Sequence, residues 1–343
     1  MKTQSAIVSL LVSLASVVLI VAGLKTMASL LTPILLSLFL VLVTYPIFAW
    51  LKGRGLPQWL AYMLVLLSVV AIGVSIVLFL VTSVNELVTY LPAYGNQIET
   101  QINGLWQRLT EQGVTIDDIQ ALSWLQPEQL IQFSLSLTTT VLGTLSNTGL
   151  TLLIFVYMLA TAPSFSTQLK KGLENNPSAL QRFEEFAQST SSYLMIKGWL
   201  GALTALVQML LMGLLGLDFA VLWGVLSFAF NFIPNIGFYI ALAPPLLIAI
   251  IELGWLKALF FAVAYIVINN FFDMVVAPRY LSKGLDLSIL VTFLAVIIWA
   301  WILGPIGAFL ALPLTIMVKK LLLEPFSQTQ LVASLMGAGS EDS

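Results

Sequence analysis

The chain has 343 residues, of which 59% are hydrophobic and only 9% are charged. A water-soluble protein of this length could not bury so much apolar surface, so we expect most of the chain to lie in a lipid bilayer. The near balance of 14 basic and 16 acidic residues gives no support for nucleic-acid binding. The sequence has no cysteine and no histidine, which excludes thiol and imidazole catalysis and thiolate metal sites. It also has no phosphate-binding loop, so we predict a protein that is not an enzyme and needs no cofactor.

Apolar runs long enough to cross a hydrocarbon core of about 30 Å recur along the chain. Six of them are typical of ordinary membrane spans, at residues 6–24, 28–50, 59–82, 141–160, 193–217 and 256–277. The first has no small-residue cleavage site and leads into a second long apolar run, so we interpret it as a retained span rather than a signal peptide. The sequence therefore predicts an all-α polytopic membrane protein.

Two segments between these spans are predicted to lie outside the bilayer. Residues 85–132 are acidic, and apolar side chains within 94–109 recur at the spacing of an amphipathic helix. Residues 163–192 include the basic pair Lys170 and Lys171. Because lysine and arginine accumulate on the cytoplasmic side of membrane proteins, both chain termini are predicted to be cytoplasmic and the acidic segment extracytoplasmic.

A repeat lies in the carboxy-terminal third of the chain. The stretch from Ile233 reads IPNIGFYIALAPP and the stretch from Gly304 reads GPIGAFLALP, so proline, Ile-Gly, Ala-Leu and proline recur in the same order. Each stretch lies in the middle of an apolar run, 219–251 or 287–318. As one helix such a run would be roughly 50 Å long, well beyond the bilayer core.

We therefore predict that each run splits at its proline and glycine into two half-helices that enter and leave the bilayer on the same side. Such re-entrant hairpins are tolerated only inside protein or beside a cavity. One hairpin would enter from each side, which is the inverted repeat around which transporters place a substrate site. The alternative is eight plain spans in which both runs tilt or kink at proline, and the positive-inside rule barely separates the two. The predicted segments are three spans at 1–83, an acidic extracytoplasmic helical segment at 84–134, the fourth span with cytoplasmic amphipathic helices at 135–192, an inverted-repeat transport core at 193–320 and a cytoplasmic tail at 321–343.

Many residues of the carboxy-terminal half match the signature of a known family. They are Tyr193, Gly201, Gly213, Gly216, Trp223-Gly224, Asn231 to Gly237, Asn269, Pro278-Arg279, Gly284-Leu285, Gly304-Pro305, Gly307 and Pro313-Leu314. On these residues the chain resembles the autoinducer-2 exporter family over nearly its whole length. The resemblance implies an inner-membrane carrier that moves the quorum-sensing signal autoinducer-2, a small polar furanone-type molecule, out of bacterial cells. It also implies a homo-oligomer such as a pentamer.

The same resemblance leaves a second transport class open. Some relatives are described as sodium(lithium)/proton antiporters. Several relatives have an acidic residue just before the Pro-Arg pair, whereas this chain has Ala277 there. Because this chain lacks the acidic residue, the resemblance gives less support for an ion-coupling role at this position.

Asp273 is the most informative single residue, because a carboxylate inside a predicted span is costly and marks a functional site by default. Asn269 lies four residues earlier on the same helix face, and Asn270 is adjacent. Together they are expected to line a polar path or to hold a proton or cation. The alternative is that Asp273 pairs with Arg279 or Lys283 near the lipid headgroups.

The tips of the two predicted hairpins form the other candidate site. Proline frees backbone hydrogen-bonding groups there, and asparagine amides supply both donors and acceptors, which suits an uncharged polyol-like solute. The tip residues are Asn231, Pro234, Asn235 and Gly237 in the first hairpin and Gly304, Pro305 and Gly307 in the second. The alternative is that these prolines and glycines only let the chain reverse.

The leading hypothesis is thus a secondary carrier or facilitator that exports autoinducer-2-like solutes by alternating access around two re-entrant hairpins. Sodium(lithium)/proton antiport through Asp273 is the second hypothesis. The third is a non-transporting membrane scaffold whose acidic segment binds a partner.

Overall fold

The computed structural model describes residues 2–111, 148–280 and 287–337, together with the single residues Gln132, Ser136 and Gly143. Within these residues every regular element is a helix, as the sequence predicts. The helices are α1 (Lys2–Thr26), α2 (Ala28–Gly53), α3 (Gln58–Glu111), α4 (Thr148–Gly172), α5 (Pro177–Leu215), α6 (Ala220–Phe230), α7 (Gly237–Leu253), α8 (Trp255–Asn270), α9 (Ala277–Tyr280), α10 (Ile289–Leu303), α11 (Pro305–Phe309), α12 (Ala311–Met317) and α13 (Gln330–Leu335). Two π-helical turns, Phe271–Val276 and Val318–Leu323, directly follow α8 and α12.

Five helical stretches of the described residues are long and apolar enough to cross a membrane by length and composition. They are α2, the part of α3 from Gln58 to Leu87, α4, α5, and α8 continued to Tyr280. These stretches contain or overlap five of the six predicted spans. The first predicted span forms α1, whose described apolar part, Ala15–Thr26, is shorter. The all-α, multi-pass membrane character predicted from the sequence is confirmed at this level.

Two helices extend well beyond the predicted spans. α3 continues past residue 82 to Glu111, and α5 begins at Pro177, ahead of the predicted fifth span. Residues 178–197 contain no proline or glycine that could interrupt α5, and α3 continues through Pro92. The expected boundaries between membrane and extramembrane helices are therefore not helix ends. Residues 112–131 of the predicted acidic segment lie outside the described residues.

The helices pack into two compact units. The first comprises Met1–Leu67, Asn147–Tyr193 and Lys283–Ser343, and the second comprises Ser68–Ser146 and Leu194–Ser282. In the first unit α2 packs against α4, and the Ser37 hydroxyl donates to the Thr151 carbonyl oxygen at 2.8 Å. The Tyr62 hydroxyl of α3 donates to the Val156 carbonyl oxygen of α4 at 3.0 Å. The division into five consecutive segments remains a prediction.

The core of the second unit is formed by α5, α6, α7, α8 and the middle of α3. Its fully or almost fully buried apolar side chains are Leu80, Leu87, Met212, Leu217, Leu222, Trp223, Leu226, Leu242, Ile248, Ala249, Ile251, Ala258, Phe261 and Tyr265. Because five helices contribute to one core, the polar side chains among them are held in fixed positions.

The first long apolar run of the carboxy-terminal third is broken where the sequence predicts. It forms α6 and α7, separated by a turn at 231–236. The two ends of the run meet, because the backbone N–H of Asp218 donates to the Glu252 carboxylate at 3.1 Å. α6 has 11 residues and α7 has 17, both short of the roughly 20 that an ordinary membrane-spanning helix needs.

The second long run is also broken, at Gly304, and forms α10, α11 and α12. α12 packs against α10, where the Trp299 indole N–H donates to the Thr315 hydroxyl oxygen at 3.1 Å. This contact joins residues on either side of the break, so the chain folds back at Gly304.

The two breaks share a steric requirement. A Cβ atom at Gly237 would overlap the carbonyl oxygen of Phe230 at the end of α6. A Cβ atom at Gly307 would overlap the carbonyl oxygen of Trp299 in α10. Only glycine allows the backbone to approach a carbonyl so closely. The two Ile-Gly pairs that align in the sequence therefore share the same kind of close approach to a backbone carbonyl.

Candidate polar pathway

Asp273 is held by hydrogen bonds from two helices. Its Oδ1 accepts from the Lys197 ammonium of α5 at 2.9 Å, and its Oδ2 accepts from the Asn269 amide at 3.0 Å. Asn269 lies one helical turn earlier, so the shared helix face puts these two side chains in contact. The cation that pairs with Asp273 is Lys197 rather than Arg279, and Lys283 lies outside the described residues.

The backbone around Asp273 is a π-helical turn, Phe271–Val276. Such a turn widens the helix by one residue, and π-helical turns within α-helices are frequent at functional sites. Asn270, directly before the turn, is half-buried. It points about 100° away from Asn269 around the helix and so lies off the face that Asn269 and Asp273 share.

The Lys197–Asp273 pair balances two charges in a strongly apolar part of the chain. The Lys197 side chain is 12% exposed and the Asp273 side chain is 42% exposed. An ammonium group withdrawn from water this far is tolerated because a carboxylate and its hydrogen bonds compensate it. The pair therefore adds polarity to this region without adding net charge.

The turn between α6 and α7 packs on α5 next to this pair. A Cβ atom at Gly201 would contact the Asn231 side chain at 3.5 Å, and one at Gly198 would contact the Phe232 ring at 3.8 Å. Gly201 lies one turn after Lys197 on the same face of α5. The small residues thus let the buried Asn231 lie about one helical turn from the ion pair.

The rest of this turn is more open. Asn235 is exposed and has φ 63°, a left-handed conformation that asparagine adopts more readily than most residues. Pro234 is half-buried, and its carbonyl oxygen accepts from the N–H of Ile236 at 2.7 Å. Gly237 is buried against the end of α6. Of the four predicted tip residues, Asn231 is therefore the one that packs against α5, at Gly201.

A second polar contact lies deeper in the same unit. The Tyr265 hydroxyl of α8 donates to the Ser227 hydroxyl oxygen of α6 at 3.0 Å, and the Ser227 hydroxyl in turn donates to Oε1 of Gln208 on α5. All three side chains are buried, with exposed fractions of 0% for Gln208 and Tyr265 and 3% for Ser227. Three helices thus share one continuous chain of hydrogen bonds inside the apolar core.

Seven polar side chains of this unit lie on matching faces of three helices. We call them the polar seam: Lys197 and Gln208 on α5, Ser227 and Asn231 on α6 and its turn, and Tyr265, Asn269 and Asp273 on α8 and its π-helical turn. Spacings of four residues on α6 and α8, and of eleven on α5, keep each set on one side of its helix. Along α5 the seam covers about 16 Å, roughly half of a bilayer core.

Sequence reasoning found Asn231, Asn269 and Asp273 but missed the deeper half of the seam. Ser227 lies four residues before Asn231, and Tyr265 lies four residues before Asn269. That spacing was the available signal, since it continues each polar face by one helical turn. Gln208 had no such marker, because only the packing of α5 on α6 shows that its amide is shared.

The second break belongs to the first unit and is described separately. Gly304 joins α10 to α11 with φ 71°, Pro305 is exposed, and Gly307 is buried against Trp299. The polar contact beside this break is the one from Trp299 to Thr315. Every residue of the polar seam, by contrast, belongs to the second unit.

Comparison with known proteins identifies the family of this chain. The model of the AI-2E family transporter matches residues 14–325, which is nearly the whole chain. The chain belongs to the AI-2E family. The family resemblance noted from the carboxy-terminal motifs is thereby confirmed.

Three relatives match along almost their whole length. The AI-2 transport protein TqsA of Escherichia coli is 31% identical over 327 residues, which cover 95% of this chain and 95% of TqsA. A Haemophilus influenzae protein is 30% identical over 334 residues, covering 95% of each chain. YhhT of Escherichia coli is 28% identical over 330 residues, covering 96% of this chain and 94% of YhhT. The last two are named for transport without a stated substrate.

Proposed function

We propose that this AI-2E family member is a secondary transporter of the bacterial inner membrane that exports autoinducer-2 or a similar small polar solute. Family membership supports transport, and the name of TqsA supports this class of substrate. The observation that carries the proposal is the polar seam, a line of hydrogen-bonding side chains among helices that are otherwise apolar. Polar groups at such depth are costly and are retained where a polar solute or ion passes.

In this proposal α6 and α7 re-enter the membrane instead of crossing it. The bond between Asp218 and Glu252 supports re-entry, because a segment whose two ends meet begins and ends on one side of the bilayer. The Lys197–Asp273 pair gives independent support. With eight plain spans, the start of the α5 span and the end of α8 would lie on opposite membrane faces. Re-entry places them on the same face, where Lys197 and Asp273 can be in contact.

We extend the same proposal to α10, α11 and α12, which would re-enter from the cytoplasmic side. The shared steric requirement at Gly237 and Gly307 supports treating the two segments as equivalent. Both chain termini would be cytoplasmic, since that orientation keeps most lysines and arginines inside. The chain would assemble as a homo-oligomer, as the family resemblance implies.

Sodium(lithium)/proton antiport is the second candidate, favoured by the Asp273 carboxylate within the helical stretch from Trp255 to Tyr280. A cation or proton that bound this carboxylate would have to compete with the Lys197 ammonium at 2.9 Å. An uncharged solute needs no such exchange. We therefore rank export of an uncharged polar solute first.

The test is flux through proteoliposomes loaded with autoinducer-2. We expect wild-type protein to release the signal faster than protein-free vesicles, with no requirement for a sodium or proton gradient. Asp273→Asn should slow this release, because it leaves Lys197 without its counter-charge in the pathway. Release no faster than from protein-free vesicles would contradict the proposal. Sodium-driven proton movement that Asp273→Asn abolishes while signal release is unchanged would favour antiport.

A further inference from the structure

Two buried hydrogen-bond donors at the deep end of the polar seam have no partner among the described residues. They are the side-chain amide nitrogen of Gln208 and the indole nitrogen of Trp223. Both side chains are almost completely buried, with exposed fractions of 0% and 1%. Trp223 lies one turn before Ser227 on α6, and Ser227 bonds to Gln208, so the two donors lie in one neighbourhood.

The Gln208 amide makes one hydrogen bond and lacks another. Its oxygen accepts from the Ser227 hydroxyl, and its nitrogen is a buried donor with no partner among the described residues. Leaving a buried donor unsatisfied is unfavourable, and in an apolar membrane domain water does not readily replace the missing partner. Two such groups, one on Gln208 and one a helical turn from its partner Ser227, indicate a place that a further molecule completes.

The surroundings define what that molecule can be. The indole and amide N–H groups require acceptor oxygens, and the Ser227 and Tyr265 hydroxyls can donate or accept. The charged residues of the seam, Lys197 and Asp273, lie at its other end, about 16 Å away along α5. A bound ion would therefore have no opposite charge nearby to offset the cost of its burial. An uncharged solute needs no such counter-charge.

We propose that Gln208, Ser227, Trp223 and Tyr265 form a binding site for a small, uncharged, oxygen-rich solute such as a hydroxylated ring ether. This inference rests on the proposed function, because it locates the substrate within the same pathway. Beside this site α5 and α6 pack tightly, since a Cβ atom at Gly224 would lie 3.0 Å from Met209. Entry of a solute would require the flexible Met209 side chain to move.

The first experiment measures binding by the full-length protein in lipid nanodiscs, with autoinducer-2, ribose and sodium acetate as probes. A ligand that binds the folded state raises the unfolding midpoint. We expect both uncharged probes to raise it and sodium acetate to leave it unchanged. Gln208→Leu should weaken the apparent affinity at least tenfold, and Trp223→Phe, which replaces the indole with a smaller aromatic ring that has no N–H, should weaken it several-fold.

Thr204→Val is the matched control. Thr204 is also buried on α5, but its hydroxyl donates to the Leu200 carbonyl oxygen of its own helix at 2.8 Å. We expect this variant to bind both uncharged probes as the wild type does. If neither probe shifts the wild-type midpoint, or if Trp223→Phe and Gln208→Leu bind as tightly as wild type, the donors hold at most internal water and the inference is overturned.

The second experiment separates this inference from the proposed function. In proteoliposomes, Gln208→Leu and Trp223→Phe should raise the KM for autoinducer-2 release with little change in the maximal rate. Wild-type release with unaltered KM in both variants would overturn the site and leave the export function standing. Probe binding at the site without any wild-type release would overturn export and leave the site standing.

Discussion

At the scale of single residues, Lys197 and Asp273 illustrate how two costly groups become tolerable together. They are 76 positions apart in sequence and 2.9 Å apart in space. Either charge alone would be poorly solvated among apolar helices, whereas the pair with the Asn269 amide is compensated. The pair is therefore expected to stabilise α5 against α8 only while both members are present.

We predict that Asp273→Asn or Lys197→Met alone lowers the free energy of unfolding by about 1–3 kcal/mol, less than for a fully buried pair because Asp273 is partly exposed. The double variant should recover most of that loss, since no uncompensated charge remains. Unfolding midpoints of the purified proteins in one detergent would measure the effect.

Glu174→Gln serves as the control, because it removes an exposed carboxylate near the end of α4 and should leave the midpoint unchanged. Single variants as stable as the wild type, or a double variant less stable than either single one, would show that the pair does not couple α5 to α8.

Residue-level prediction from the sequence succeeded where the information was local. Asn269 and Asp273 are four residues apart on one helix, so their contact follows from helix periodicity. Lys197 could not be predicted as the partner, because its contact depends on which faces of α5 and α8 meet. Gln208 was missed for the same reason, although it is the most deeply buried amide of the seam.

At the scale of elements, the two breaks depend on glycines that approach a backbone carbonyl. The elements themselves follow from the sequence, because proline and glycine interrupt apolar runs too long for one span. The extension of α3 and α5 beyond the spans did not follow, since hydropathy reports on the solvent around a helix and not on where its hydrogen bonds end. Helix length and membrane crossing are thus separate properties in this chain.

We predict that Gly237→Ala and Gly307→Ala each lower the free energy of unfolding by about 1–3 kcal/mol, because the added methyl group forces a backbone carbonyl to move. Thermal unfolding of the purified variants would measure the loss. Both variants should also reduce autoinducer-2 release.

Gly73→Ala is the matched comparison within α3, where an added Cβ atom meets no other atom within 4 Å. It should be neutral or stabilise by up to about 1 kcal/mol, since alanine favours helix more than glycine does. If Gly237→Ala behaved like Gly73→Ala, the tight approach to Phe230 would not be required for the break.

At the scale of the whole molecule, the account depends on where the ends of each helix lie relative to the membrane. The fold class and the membrane character follow from composition and run length, and the family follows from the motifs. The path of the chain through the bilayer is a proposal that rests on contacts between segments distant in sequence, above all the one from Asp218 to Glu252.

The most direct test of this central claim is labelling of single cysteines with a membrane-impermeant maleimide, which the cysteine-free sequence makes straightforward. Cysteines would replace Asp218, Lys257 and Arg279, all of which are exposed. If α6 and α7 re-enter the membrane, Asp218→Cys and Lys257→Cys should both be labelled from outside intact cells, and Arg279→Cys only after the membrane is permeabilised. Labelling of positions 218 and 257 from opposite faces would contradict the account.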